Sequence, residues 1–188
     1  MRTYRRRLPH RDVAGVPVFV TWCLHRSLPA ERVFHREHLS SGEAFAAWDG
    51  LLAAARAGPK YLAQPALAEM VAQRILQAGQ SGLCAVDSFV VMPKHVHVLW
   101  VPAGSLAALV RTVNGSTARD ANRILGATGQ RFWQEEYFDR TVRTSDEAAR
   151  VRTYIEMNPV KAGLCAAPGL YAWSSANPEW AGLKPRAD

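Results

Sequence analysis

Three short and largely apolar stretches of the chain have the length and composition of β-strands. They cover Val16–His25, Leu83–Met92 and the residues that start at His95. Successive side chains of a strand point to opposite faces of its sheet, so the first stretch should have two distinct faces. We expect Val18, Val20 and Trp22 on one face and Phe19, Thr21 and Cys23 on the other. A tight break at Pro93 and Lys94 separates the other two strands, which predicts that they are neighbours.

Helical signals fill the intervals between these strands. Ser40 and Glu43 have the spacing of a capping box, which predicts a helix of about fifteen residues that ends near Gly58. Proline is favoured in the first turn of a helix, so Pro65 predicts a second helix that reaches Gly79.

The second half of the chain predicts two more helices. Ser105 opens a long one with a regular apolar face. Thr144 begins a capping signature for the last helix, which we expect Pro159 to end. The aromatic-rich segment Gln130–Val142 lies between these two helices and is expected to be extended.

The order of elements is strand, helices, strand, strand, helix, strand and helix, without repeats or a linker. This order predicts an α+β fold in which an antiparallel sheet has its helices packed on one face. We expect one compact domain over residues 16–176, a flexible basic arm over residues 1–15 and a C-terminal tail over residues 177–188.

Charge and cysteine content narrow the function classes. The 188 residues include 23 Lys and Arg against 16 Asp and Glu, and most of the basic residues are arginines. This composition favours a phosphate-bearing partner such as nucleic acid.

The cysteines and the apolar segments bear on the location of the protein. The isolated cysteines Cys23, Cys84 and Cys165 fit neither a disulfide framework nor a zinc cluster, so a reducing, cytoplasmic location is expected. No apolar segment is long enough to span a bilayer, and we expect no membrane association.

A pair of histidines carries the first candidate chemistry. His95 and His97 are two residues apart at the start of a strand, so both imidazoles project from the face opposite to Val96 and Val98. Two imidazoles on a rigid element are most of a minimal metal site. Taken singly, each histidine has an ordinary alternative as a hydrogen-bonded core residue.

The last predicted helix supplies two further candidates. Tyr154 and Asn158 are four residues apart and therefore share one face, one turn from each other. The Asn158 amide oxygen beside two imidazoles leaves coordination positions open, which suits Mg²⁺ or Mn²⁺ better than structural zinc. A tyrosine hydroxyl beside such a metal can attack phosphorus, although a tyrosine on an amphipathic helix more commonly packs.

At these motifs the chain resembles the REP-associated tyrosine transposases, in the single-tyrosine branch of the HUH nuclease superfamily. The resemblance rests on residues 91–97 (VMPKHVH), 131–140 (RFWQEEYFDR) and 154–164 (YIEMNPVKAGL), with further likeness at residues 19–22 and 173–176. It implies a ferredoxin-like (RRM-like) fold and a single-stranded DNA substrate with a hairpin. It also implies Tyr154 as the nucleophile, His95 and His97 as the metal pair, and Asn158 as the third ligand.

The expected activity is metal-dependent cleavage and rejoining of single-stranded DNA through a 5′-phosphotyrosine intermediate, by a monomer or a homodimer. Three other classes compete with it: a non-catalytic nucleic-acid-binding module, a metal-dependent hydrolase that uses activated water, and a replication-initiator relative. Basic residues in the arm, at the strand break and before the last helix are candidate DNA contacts, namely Arg5, Arg6, Arg7, Lys94, Arg140 and Arg143.

Overall fold

The computed structural model describes residues 14–27, 47, 50 and 58–181 of the chain. Their centre is an antiparallel sheet of four strands in the order β2-β3-β1-β4. The strands are β1 (Val18–Cys23), β2 (Cys84–Val91), β3 (His95–Pro102) and β4 (Phe138–Thr141). The α+β class and the antiparallel sheet expected from the sequence are therefore confirmed.

Two crossover helices cover one face of this sheet. They are α1 (Pro65–Gln80), which has proline in its first turn, and α2 (Leu106–Ile124), whose first turn is capped by the Ser105 hydroxyl accepting from the Ala108 N–H. Between helices and sheet lies the larger hydrophobic core, in which Trp22 and Trp100 stack with ring centroids 5.9 Å apart. The alternation of β1 is confirmed, because Val18, Val20 and Trp22 all enter this core.

The third long helix, α3 (Ser145–Lys161), packs on the opposite face. Its residues Val151 and Ile155 join a second, smaller core with Phe19 and Leu99 of the sheet. The expectation that all helices share one face is therefore wrong for α3. The physical reason is that the strands also have apolar side chains on this second face, such as Phe19 and Leu99. A helix that packs there removes them from water.

Pro159 does not end α3, contrary to the expectation from the sequence. The helix continues to Lys161 because the Ala162 N–H still bonds to the Asn158 carbonyl, and buried Pro159 contributes to the packing. Gly163, the residue after the C-cap Ala162, has φ of 69°. Hydrogen bonds from Gly163 N–H to Val160 O and from Leu164 N–H to Pro159 O form a Schellman motif there.

The segment expected to be extended over Gln130–Val142 forms a strand only at its end. Before β4 the chain makes a single bridge between Trp133 and Leu24. The Trp133 indole N–H donates to the buried Thr117 hydroxyl at 2.9 Å, so a contact to α2 holds this aromatic segment in addition to the bridge. Trp133 and Phe138 are both buried in the interior.

The C-terminal part of the described chain covers the outer edge of β2. Backbone hydrogen bonds run from Val91 N–H to Trp173 O and from Ser175 N–H to Phe89 O, at 2.9 and 2.8 Å. A short helix, α4 (Pro178–Ala181), then places Trp180 against Phe89 in the core. Folded structure thus continues beyond residue 176, into the expected tail.

Several expectations lie outside the described residues: the helix that starts at Ser40 and most of the basic arm with Arg5, Arg6 and Arg7. Within the part that is described, no helix is both long and apolar enough to cross a membrane. The three cysteines are free, as expected.

Candidate active site

His95 and His97 project together into the smaller core, on the face that α3 covers. Their ring centroids are 4.6 Å apart. Both residues are buried, and His97 is completely so. In the sheet register His97 lies directly opposite Thr21 of β1, and His95 lies opposite Cys23. The expected placement of the two imidazoles on one face, away from Val96 and Val98, is confirmed.

Thr21 fixes the orientation of the His97 ring. Its hydroxyl oxygen lies 2.7 Å from His97 Nδ1 in a buried hydrogen bond. When Nδ1–H donates to this oxygen, the lone pair of the imidazole is on Nε2, the nitrogen that a metal ion would bind. Metal-binding histidines characteristically have their second nitrogen held in this way. The sequence did not reveal this partner, since the register between β1 and β3 cannot be read from alternation alone.

The environment keeps both imidazoles neutral. Burial, with the Lys94 charge as a second cause, lowers the pKa of His95 to about 4. Burial and the neighbouring His95 lower the pKa of His97 well below its ordinary value. Neutral imidazole has the lone pair that a metal ion requires, so this electrostatic environment fits ligand histidines at neutral pH.

The donor set fits a divalent ion with open coordination positions. His95 Nε2 is buried and has no hydrogen-bond partner among the described residues, which is costly unless an ion or water binds there. In the described ranges no group of three or more His, Cys, Asp or Glu side chains could hold a metal. Burial raises the pKa of Cys23 to about 12, so its thiol is not a ready ligand either. Asn158, whose side chain contacts Tyr154, offers a neutral amide oxygen near the histidine pair.

Tyr154 reaches this site from α3. Its ring makes edge contacts with the rings of His97 and Phe19, at centroid distances of 5.6 and 6.1 Å. The Asn158 side-chain N–H donates to the Tyr154 hydroxyl at 3.1 Å, which confirms that the two residues share one helix face. The amide thereby leaves its oxygen for other ligands and gives the hydroxyl oxygen a donor that stabilises negative charge.

Polar contacts on both flanks of α3 hold the helix to the sheet. On one flank Arg152 donates two hydrogen bonds to Asp87, one of them from Nε at 2.8 Å, and the Ser175 hydroxyl donates to Glu156 at 2.9 Å. Asp87 lies at an irregularity of β2, where the register shifts between Val86 and Ser88 and an extra residue faces outward. Tyr154 is therefore presented by a helix that is fixed by side chains as well as by its apolar face.

The other flank of α3 is tied to β4. Arg140 forms an ion pair of 2.9 Å with Glu147, and both side chains are largely buried. The backbone N–H of Arg143 donates to the same carboxylate at 2.9 Å. The Arg140 guanidinium thus has a structural partner at the start of the helix, whereas the Arg143 side chain is exposed.

Lys94 occupies the turn between β2 and β3 and is mostly buried. Burial, and secondly the charge of Lys60, lower its pKa from the ordinary value. Its backbone carbonyl accepts from the Leu24 N–H, which ties the turn to the end of β1. Lys94 lies next to the histidine pair, and its positive charge contributes to keeping His95 neutral.

Lys161 is a further neighbour of the site that the sequence reading missed. Its Nζ lies 5.1 Å from the centroid of the Tyr154 ring, within the range of a cation–π contact. A signal was present, because positions 154, 158 and 161 follow the spacing of one helix face. The expected end of the helix at Pro159 concealed it.

Comparisons with known proteins identify a family and a similar fold. A family model described as IS200-like transposase matches residues 58–158, just over half of the 188 residues. A solved structure of a REP-associated tyrosine transposase bound to a REP hairpin has a TM-score of 0.61 and 19% sequence identity, and the match covers 100% of this chain and 93% of that chain. A solved structure of a candidate transposase from Deinococcus radiodurans R1 has a TM-score of 0.36 and 19% sequence identity. The match covers 83% of this chain and 96% of that chain. No curated protein matches the chain.

Proposed function

The chain belongs to the IS200-like transposase family, and from this premise we propose that it cleaves and rejoins single-stranded DNA with Tyr154 as the nucleophile. A transposase is a DNA-processing enzyme, and the chain has the fold of a REP-associated tyrosine transposase. The observation that carries the proposal is the Tyr154 hydroxyl, held at 3.1 Å by Asn158 on a helix that covers the histidine pair. This arrangement supplies a nucleophile and a metal-binding pair on two rigid elements.

The proposed reaction is a transesterification. The Tyr154 oxygen forms a bond to the scissile phosphorus while the bond from phosphorus to the 3′ oxygen breaks. The phenolic proton passes to solvent water, and the departing 3′ oxygen takes up a proton to become a 3′-hydroxyl. The DNA 5′ end stays on the protein as a phosphotyrosyl ester, and a 3′-hydroxyl can reverse the attack to rejoin strands without another energy source.

We propose that His95, His97 and the Asn158 amide oxygen hold Mg²⁺ or Mn²⁺. When bound, the ion supplies Lewis-acid polarisation of the scissile phosphate. The neutral imidazoles, the unsatisfied His95 Nε2 and the Thr21 contact to His97 support this ligand set. In the same site the Asn158 N–H orients the Tyr154 hydroxyl, so one side chain serves both groups.

We propose further that Tyr154 acts on the site of its own chain. The packing of Val151 and Ile155 and the pairs Arg152–Asp87 and Arg140–Glu147 all join α3 to the sheet of the same chain. Tyr154 is already in ring contact with His97 of that chain. A complete site within one chain lets a monomer carry out cleavage, without exchange of helices between subunits.

The proposed substrate is single-stranded DNA beside a hairpin. The structural neighbour with the same fold was solved with a REP hairpin, and the net positive charge of this chain suits a phosphate backbone. Arg5, Arg6, Arg7, Lys94 and Arg143 remain proposed DNA contacts. Arg140 is assigned instead to the Glu147 ion pair.

The decisive experiment is a covalent-adduct assay with a labelled hairpin oligonucleotide that has a single-stranded flank. With Mg²⁺ or Mn²⁺ the wild-type protein is expected to form a denaturation-resistant adduct, and EDTA is expected to prevent it. Tyr154→Phe should bind the same DNA without forming the adduct. Tyr61→Phe removes the hydroxyl of an exposed tyrosine distant in sequence from α3 and serves as the control.

Each competing class gives a different result in this assay. A hydrolase with activated water would cut the DNA without an adduct and would tolerate Tyr154→Phe. A non-catalytic binding module would bind the DNA and leave it intact. An adduct of undiminished yield in Tyr154→Phe would exclude Tyr154 as the nucleophile.

A further inference from the structure

We propose that Lys161 is a further catalytic residue of this site, with its ammonium group bound to the scissile phosphate beside Tyr154. The inference rests on the proposed strand cleavage and adds a charged group to it. The observation behind it is the position of Lys161 Nζ, 5.1 Å from the centre of the Tyr154 ring.

The helix places Lys161 on the reacting side of α3. Residues 154, 158 and 161 are spaced by four and three, so their side chains follow one another along one face. Lys161 is the last residue of the helix, and the Schellman motif at Gly163 fixes the backbone directly after it. The lysine side chain is exposed and Tyr154 is partly exposed, so a DNA phosphate can reach both groups from solvent.

Among the described residues, no carboxylate forms an ion pair with the Nζ of Lys161. Two other cations at α3 differ in this respect, since Arg140 pairs with Glu147 and Arg152 pairs with Asp87. A lysine that contacts only the face of an aromatic ring keeps its three N–H donors for an anion.

The proposed reaction creates such an anion at this position. Negative charge builds on the phosphate oxygens as the Tyr154 oxygen approaches phosphorus, and it remains next to the ring in the phosphotyrosyl ester. An ammonium group at the edge of the site stabilises this charge more than it stabilises the bound ground state. Lys161 transfers no proton in this role, and the bonds that form and break are those of the tyrosine attack.

The test measures adduct formation in a single turnover, with protein in excess and at saturating hairpin DNA, for wild type, Lys161→Met and Lys161→Arg. We expect Lys161→Met to lower the rate constant about 100-fold, as removal of a charge-stabilising donor does elsewhere. Lys161→Arg should recover much of this loss because it restores the cation. DNA affinity, measured by fluorescence anisotropy in a Tyr154→Phe background, should change far less than the rate.

Arg111 offers a matched control. It is also cationic and exposed, but it lies on α2, which packs on the opposite face of the sheet. Arg111→Met should leave the rate constant at saturating DNA unchanged. This comparison separates a charge at the reacting phosphate from a general loss of positive charge on the protein.

Three outcomes would overturn the inference. The first is a rate constant for Lys161→Met equal to that of the wild type, and the second is a Lys161→Met variant that loses only DNA affinity. The third is a rate constant that falls equally in Lys161→Arg and Lys161→Met, because the effect would then come from packing of the lysine stem and not from its charge. In each of these cases wild-type adduct formation still supports strand cleavage by Tyr154. If the wild-type protein forms no adduct at all, both the proposed function and this inference fail. Circular dichroism of each variant verifies that α3 is retained.

Discussion

Thr21 and His97 face each other across β1 and β3, and their side chains share a buried hydrogen bond of 2.7 Å between Oγ1 and Nδ1. With Nδ1–H as the donor in this bond, the lone pair of the imidazole lies on Nε2. The bond also restrains rotation of the imidazole, so that a metal ion could bind the ring without first having to order it.

Thr21→Val should therefore weaken metal binding while keeping the shape of the side chain. Loss of such an outer contact to a ligand histidine typically costs about 10- to 100-fold in metal affinity. Isothermal titration of the metal-free protein with Mn²⁺ measures the effect. Thr21→Ser, which keeps the hydroxyl, is the control. An unchanged affinity in the valine variant would mean that the hydrogen bond has no role in ligand orientation.

Mixing two inactive variants tests whether each chain has a complete site. We expect Tyr154→Phe and His97→Ala to form no adduct separately, and equally none when combined. A site shared between two chains would instead recover activity, because each variant would supply the group that the other lacks. The readout is the adduct gel, with wild-type protein diluted into either variant as the positive control.

The Arg152–Asp87 pair should position Tyr154 as well as stabilise the fold. Its side chains are partly exposed, so Arg152→Met is expected to lower the free energy of unfolding by only about 0.5–1 kcal/mol. We expect a several-fold slower adduct rate at saturating DNA, because α3 loses its fixed contact to β2. Arg123→Met removes a longer surface pair with Asp120, at 3.4 Å on α2, and should leave the rate unchanged.

If Arg152→Met and Asp87→Asn each slow the reaction, the double variant should be no slower than the worse single one. Such non-additivity is expected of two residues that act through one contact. Additive losses would contradict the assignment of this pair as a positioning contact.

The stability of the metal-free protein should fall on acidification because of His95. Its pKa in the folded chain is about 4 against an ordinary 6.5, so between these values the unfolded chain binds a proton that the folded chain does not. The free energy of unfolding therefore decreases as the pH falls, by about 3 kcal/mol from pH 7 to pH 4 for this residue alone. His97 contributes in the same direction.

Urea denaturation at pH 7, 5.5 and 4 measures this dependence. The matched variant is His95→Gln, which does not titrate in this range and should show a shallower pH profile than the wild type. An identical profile in the two proteins would mean that His95 is protonated without cost in the folded state.

Much of the candidate site could be predicted from the sequence because it depends on local spacing. Strand alternation places His95 and His97 on one face, and helical periodicity places Tyr154 beside Asn158. The structure confirms both relationships. Their ligand and nucleophile roles stay predictions until the experiments above are done.

The remaining features depend on packing between distant segments. Nothing in the local pattern fixes the register that brings Thr21 to His97, or the β2 irregularity that turns Asp87 towards Arg152. The end of α3 illustrates a different limit. Proline disfavours a helical conformation for the residue before it. In α3 the packing of the helix and the cap at Gly163 outweigh this effect, and the helix continues past Pro159 to Lys161.

The placement of α3 separates the demands of folding from those of chemistry. The larger core, with its stacked Trp22 and Trp100, lies on one side of the sheet, and the histidines and Tyr154 lie on the other. Under the proposed function, substitutions on the α3 side would change which DNA is processed, while the tryptophan side would continue to specify the fold. A library confined to the exposed positions of α3 is then a direct route to new cleavage specificities.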